Sequence, residues 1–118
     1  MTISEVTMSA PEKESPMKQF SKYSVPAQAM IDAFKRCGIE YVTTVPDMVQ
    51  IALHQILDGG ESGLRVVHCT TEDQAIEVAG GLYAGGKKVA VIVQNQGLYA
   101  GINSLRALGL DSKVPLFL

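Results

Sequence analysis

Lys88-Val89-Ala90-Val91-Ile92-Val93-Gln94 is apolar through its middle and lacks the in-out alternation of a strand with one wet face. A strand covered on both sides needs such a run, because helices cover each face of a parallel sheet. This segment is therefore predicted to lie centrally in the sheet. Upstream, Thr70 or Thr71 can cap a helix through Ala75, Ile76, Ala79, Leu82 and Tyr83, which Gly85-Gly86 terminates. Before it, Leu64 to His68 reads as a short strand. Asp47 can cap another helix, with Val49, Ala52, Leu53, Ile56 and Leu57 at helical spacing and Asp58-Gly59-Gly60 as its stop. Ile39 to Val45, rich in β-branched and aromatic residues, is the first predicted strand and ends at Pro46. The first helix is expected from Ser24 as N-cap, through Met30, Ala33, Phe34 and Cys37, to Gly38. Downstream, Gly97 to Leu108 reads as a fourth helix stopped by Gly109, and Pro115 to Leu118 begins a fourth strand.

Strands alternating with helices of about ten residues imply right-handed βαβ units, hence an α/β fold with a parallel sheet. Residues 24–118 form the expected domain. Residues 1–23 mix Ser, Glu, Lys and Met without a period and are expected to be a flexible tail. The chain has 118 residues, the size of one domain, and a net charge of −2 that offers no broad basic surface to nucleic acid. Its longest apolar run is far short of the roughly 20 residues that cross a bilayer, so no membrane partner is expected. The opening residues lack the apolar core of a secretory signal, which leaves a cytoplasmic location as the default expectation. Cys37 and Cys69 have no metal or redox spacing and read as buried free thiols.

In open parallel sheets ligands bind beyond the carboxyl ends of the strands. Pro46-Asp47, Cys69-Thr70-Thr71-Glu72 and Asn95-Gln96-Gly97 all fall on that edge. Two of these segments open helices, whose free N–H groups favour acceptors. From the residues alone, Glu72 is an acid complementing a helix dipole, while Asn95 and Gln96 either satisfy strand-end backbone or line a ligand. Tyr99 either stacks on a ligand or packs on a neighbouring subunit. His54 and His68 have no partners at metal spacing and read as satisfied core or surface histidines. No metal ligands are predicted. Asp73 and Glu77 read as solvated or interfacial helix positions and Lys87-Lys88 as a charged turn. Gly80-Gly81 and Gly85-Gly86 do not form a G-x-G-x-x-G loop, which argues against a dinucleotide fold.

The stretch from Thr71 to Tyr83, TEDQAIEVAGGLY, resembles the segment of thiamine-diphosphate enzymes in which a glutamate precedes a helix of small residues ending before an aromatic. Glu72 occupies that glutamate's place. From Ala84 to Leu98, then Ile102-Asn103-Ser104-Leu105, the chain is similar to sulfopyruvate and phosphonopyruvate decarboxylases, which carry a like strand, a Gln-Asn-Ser-Gly-Leu loop and an Ile/Val-Asn helix. The resemblance runs from about Ala27 to Leu118. It implies the pyrimidine-binding domain of a thiamine-diphosphate-dependent 2-oxoacid decarboxylase, a three-layer sandwich incomplete at its C-terminal end.

The resemblance further implies that Glu72 hydrogen-bonds N1′ of the cofactor's aminopyrimidine, and that Pro46, Thr71, Asn95, Gln96, Gly97 and Leu98 line its pocket. Thiamine diphosphate would be held with Mg²⁺ by a diphosphate-binding domain or subunit, whose Gly-Asp-Gly motif this chain lacks. The implied substrate is a small 2-oxoacid with an anionic tail, like sulfopyruvate, and the implied active form is an oligomer with its site between chains. Tyr99 and Ala100 stand where these decarboxylases often have Gly then Asn, and Asp47 where a small residue is common; these departures bear on pocket width and substrate. Two other expectations stand beside this one: a non-catalytic interaction or regulatory module on the same scaffold, and a fragment without independent function.

Overall fold

The computed structural model describes residues 25–118. The expected tail at 1–23 and the expected N-cap Ser24 lie outside them. The first helix, α1, spans Ala27–Arg36 with Pro26 in the N-cap position and Lys35 and Arg36 in the last turn, where cations complement the dipole. It buries Ile31 and Phe34. This face is rotated from the expected Met30-Ala33-Phe34-Cys37 stripe, and Cys37, at the C-cap, is exposed rather than buried. Gly38 follows with φ +73°. Its N–H bonds Lys35 O and the Ile39 N–H bonds Phe34 O, the pair of bonds that closes a Schellman end and needs a left-handed residue between helix and strand.

Three parallel strands follow: β1 Tyr41–Thr44, β2 Arg65–His68 and β3 Val89–Ile92, in the order β2-β1-β3. Thr44 pairs with His68 on one side and Ile92 on the other, so the three carboxyl ends are level. The central strand is β1, not the Val89–Ile92 run predicted from its apolarity. The far side of β3 is approached by the chain's last segment, where Val91 N–H donates to Phe117 O at 2.9 Å. Residues Pro115 to Leu118 were the expected fourth strand; they form no ladder.

Between β1 and β2 lies α2, Ile51–Asp58. Between β2 and β3 lies α3, Glu72–Ala84, closed by Gly86 at φ +78° with the same two bonds, Gly86 N–H to Tyr83 O and Lys87 N–H to Leu82 O. Alternate strand residues point to opposite faces. Val42, Ala90 and Ile92 pack with Ile31, Phe34, Leu53 and Leu57 on the side of α1 and α2. Val67, Val89 and Val91 pack with Ala75, Ile76 and Ala79 of α3 on the other side. The result is the predicted α/β sandwich of three layers.

The expected single helix from Gly97 to Leu108 is instead three pieces: α4 Asn95–Ala100, α5 Ile102–Leu105 and a π-helical turn Arg106–Asp111. The break falls at Gly101, which lies so close to Ile76 Cδ1 that any side chain there would collide with it. Farther along, a side chain on Gly80 would meet Leu108 Cδ1 at 2.9 Å, so the π turn and α3 are in direct contact. The wider turn lets Leu105 and Leu108 both join the α3 cluster, while Arg106 pairs outside with Asp111. Gly109, the expected stop, lies within this turn.

Cys69 is buried, and its desolvation pushes the thiol above its ordinary value. Cys37 is exposed. A thiol reagent at mildly alkaline pH is therefore expected to modify Cys37 within minutes and Cys69 only after denaturant is added. Equal rates for the two cysteines in the native protein would contradict this packing.

Candidate functional site at the carboxyl edge of the sheet

The level strand ends bring the segments after β1, β2 and β3 to one edge. After β2 the chain turns at Thr70-Thr71 into α3. Thr71 takes the N-cap position in extended conformation, φ −139° and ψ 157°, without a side-chain bond to the helix N–H groups. The turn is held instead by Gln74, whose Oε1 accepts from Thr70 N–H at 2.9 Å and Thr70 Oγ at 3.1 Å. The third residue of the helix thus reaches back, as in a capping box, but one residue farther, to Thr70 ahead of the N-cap. The Thr71 hydroxyl, with the Gln74 N–H, serves Asp73 and lowers that carboxyl below its ordinary value.

With Thr70 and Thr71 so committed, Glu72 is the first residue of α3 and is half-buried. Its carboxylate and Cγ lie directly over Gly97, where a Cβ would overlap them. Gly97 is the third residue of α4, opened by Asn95 and Gln96. Those two, expected in a loop, are helical; Gln94 is the extended N-cap, and its Nε2 donates to Gln96 Oε1 at 3.3 Å. Both Asn95 and Gln96 are exposed, and Leu98 is half-buried. The structure thus joins Glu72 to Gly97 by contact and sets Thr71, Asn95, Gln96 and Leu98 on the same two helix starts.

Pro46 reaches this edge through an unpredicted connection. Asp47 Oδ1 accepts from Gln50 N–H at 2.8 Å, so Asp47 does cap, but it caps the turn before α2 rather than the helix's first residue. Gln50 Nε2 then donates to Val93 O at 3.1 Å and ties the turn after β1 to the segment after β3. Met48 and Val49 on this turn are 78% and 73% exposed, and Tyr99 on α4 is 76% exposed, giving the edge an apolar rim.

Beneath the turn, His54 and Asp47 have side chains only 7% and 10% exposed, with Nε2 and Oδ2 3.8 Å apart. That is beyond hydrogen-bond range. Asp47 Oδ2 and both imidazole nitrogens have no partner, so His54 is not the satisfied core histidine expected; groups left this way cost ~1–3 kcal/mol each. The available signal was that His54 adjoins Leu53 and precedes Leu57 by three on the inward stripe of α2. His68, by contrast, is a surface residue 2.9 Å from Asp58.

Among the described residues no group of three His, Cys, Asp or Glu could hold a metal ion. None of their helices is long and apolar enough to cross a membrane. A carboxylate at the start of one helix, lying on a glycine of a second whose Asn95 and Gln96 amides are exposed, can hydrogen-bond a flat heterocycle. The cradle over Gly97 and the half-exposed Glu72 suit an aminopyrimidine in this respect.

Among known proteins, sulfopyruvate decarboxylases are similar to this chain. Sulfopyruvate decarboxylase subunit alpha of Methanococcus maripaludis is 30% identical over 93 residues, covering 78% of this chain and 54% of that protein. The same-named subunit of Methanocaldococcus jannaschii is 27% identical over 90 residues, covering 76% and 53%. Sulfopyruvate decarboxylase of Methanosarcina acetivorans is 27% identical over 92 residues, covering 77% of this chain and 23% of that protein. The chain thus spans about half the length of the two alpha subunits. The family described as "Thiamine pyrophosphate enzyme, N-terminal TPP binding domain" matches residues 26–116, a span holding all three strands, Glu72 and Gly97, and the chain belongs to that family.

Proposed function

We propose that this chain supplies the pyrimidine-binding half of a thiamine-diphosphate-dependent decarboxylase acting on a small 2-oxoacid with an anionic tail, as sulfopyruvate has. The observation that carries the proposal is the seating of the Glu72 carboxyl on Gly97 at the carboxyl edge of the sheet. When bound, thiamine diphosphate supplies the electron sink that makes loss of carbon dioxide from a 2-oxoacid feasible.

Glu72 holds a proton between its carboxyl oxygen and N1′ of the aminopyrimidine. Its seat at the first turn of α3 directs the carboxyl to the edge of the sheet, where a covering partner excludes water from it. Gly97 admits that carboxyl and fixes its direction. Pro46 and Leu98 supply apolar walls, and Thr71, Asn95 and Gln96 supply polar groups at the rim. The diphosphate and Mg²⁺ fall to a second domain or subunit. That partner would cover Met48, Val49 and Tyr99, exclude water from Glu72 and complete the site between chains of a cytoplasmic oligomer.

In the complete enzyme, Glu72→Gln is expected to preserve folding while slowing exchange of the cofactor's C2 proton by about 10²-fold or more, as general acid–base contributions usually measure. Undiminished exchange would remove Glu72 from its role. Gly97→Ala provides a sharper test. Alanine normally gains ~1 kcal/mol over glycine inside a helix. Here its methyl group displaces the Glu72 side chain from Cγ outward and meets no backbone among its nearest neighbours. The variant should therefore melt within a few degrees of the parent yet bind thiamine diphosphate at least about tenfold more weakly; parental affinity would show that Glu72 need not occupy this seat.

A further inference from the structure

His54 and Asp47 stand outside the set of residues assigned above, and their burial without partners calls for a cause. A buried side chain normally satisfies its polar atoms, and the exceptions mark strain, bound water or function. Asp47 Oδ2, His54 Nδ1 and His54 Nε2 are all exceptions. They converge, since Nε2 and Oδ2 are each other's near neighbours at 3.8 Å, about 1 Å beyond a charge-assisted bond. Two other side-chain atoms of this turn are engaged: Asp47 Oδ1 accepts from the Gln50 N–H, and Gln50 Nε2 donates to Val93 O. A continuous line of polar contacts thus runs from α2 through the turn after β1 to the start of the Val93–Gly97 segment, with only its first link open.

Resting on the function proposed above, we infer that His54 is a positioning residue: a shift of about 1 Å closes its Nε2–H onto Asp47 Oδ2, and through Asp47 and Gln50 it fixes the distance between the Pro46 and Gly97 walls of the pyrimidine pocket. Position 47 explains why the device is buried. The two oxygens of Asp47 divide their work, one holding the turn's backbone and the other accepting from the helix below. With the imidazole bond made, the carboxylate cannot swing, so the Gln50 N–H and the Gln50 side chain keep their directions. Without it, Asp47 is held by one oxygen and the turn can shift relative to Val93. His54 touches neither cofactor nor substrate; it acts on the pocket through Asp47.

The test uses the complete polypeptide assembled with its diphosphate-binding half. Nitrogen-15 histidine spectra, recorded without cofactor, should show His54 as the Nε2–H tautomer with a slowly exchanging, downfield proton that moves in Asp47→Asn, where one acceptor oxygen remains for Gln50. An unprotonated Nε2, or a signal indifferent to Asp47→Asn, would overturn the inference. His54→Gln keeps a donor near the Nε2 position, and His54→Leu removes it. Calorimetric titration with thiamine diphosphate should show about tenfold weaker binding for His54→Leu and near-parental binding for His54→Gln. Equal affinity for all three proteins, or His54→Gln as weak as His54→Leu, would refute a positioning role. Failure of the parent itself to bind thiamine diphosphate would instead refute the function on which the inference rests.

Discussion

The pairing of β1 on both sides is the constraint from which the rest of the molecule follows. Val42, Thr43 and Thr44 are fully enclosed. Thr44 stands level with His68 and Ile92, and its hydroxyl donates to Ile92 O at 2.7 Å. A parallel ladder permits only slow divergence between neighbours, so three strands that end together must deliver their next residues to one edge. The turn after β1, the N-cap of α3 and the N-cap of α4 consequently meet there, although they are separated by some twenty residues each in the chain. A slip of one residue at either neighbour of β1 would reverse the faces of that strand and separate Glu72 from Gly97.

Given that frame, the site is built by subtraction as much as by addition. At Gly97 the missing Cβ leaves room for a carboxylate; at Gly101 it leaves room for Ile76, which brings α5 down onto α3. The small residues along α3, Ala75, Ala79 and Gly80, let the π turn and Leu108 approach closely. Close packing on this face is compatible with a polar edge above it because Glu72, Asn95 and Gln96 stand at helix starts, while the mid-helix carboxyl of Glu77 is satisfied by Ser104 Oγ at 2.9 Å. The apolar rim of Met48, Val49 and Tyr99 is left outside this packing.

Local features were legible in the sequence. Gly38 and Gly86 end their helices where expected because a left-handed residue is a requirement of the next two hydrogen bonds, and glycine meets it cheaply. The three strands fall inside their predicted runs, and Glu72, Gly97, Asn95 and Gln96 reach the predicted edge. Features set by distant partners were not legible. The apolarity of Val89–Ile92 reports that both faces are covered, which a strand beside β1 satisfies as well as a central one. The inward face of α1 depends on how that helix is rotated against Val42 and Leu53, so Phe34 is buried and Met30 packs on the core as expected, while Ile31 rather than Cys37 completes the buried face. The break at Gly101 needs the position of Ile76, and the unpaired His54 needs the position of Asp47; neither can be inferred from spacing.

The central claim is that Glu72, seated on Gly97, hydrogen-bonds the N1′ atom of an aminopyrimidine. Its most direct test is the nitrogen-15 resonance of thiamine diphosphate labelled at N1′, observed free and then bound to the chain assembled with its diphosphate-binding half in the presence of Mg²⁺. The account predicts a large upfield displacement of N1′ on binding, the mark of a nitrogen sharing a proton with a carboxyl group. A bound cofactor whose N1′ resonance stays at its free position would contradict it.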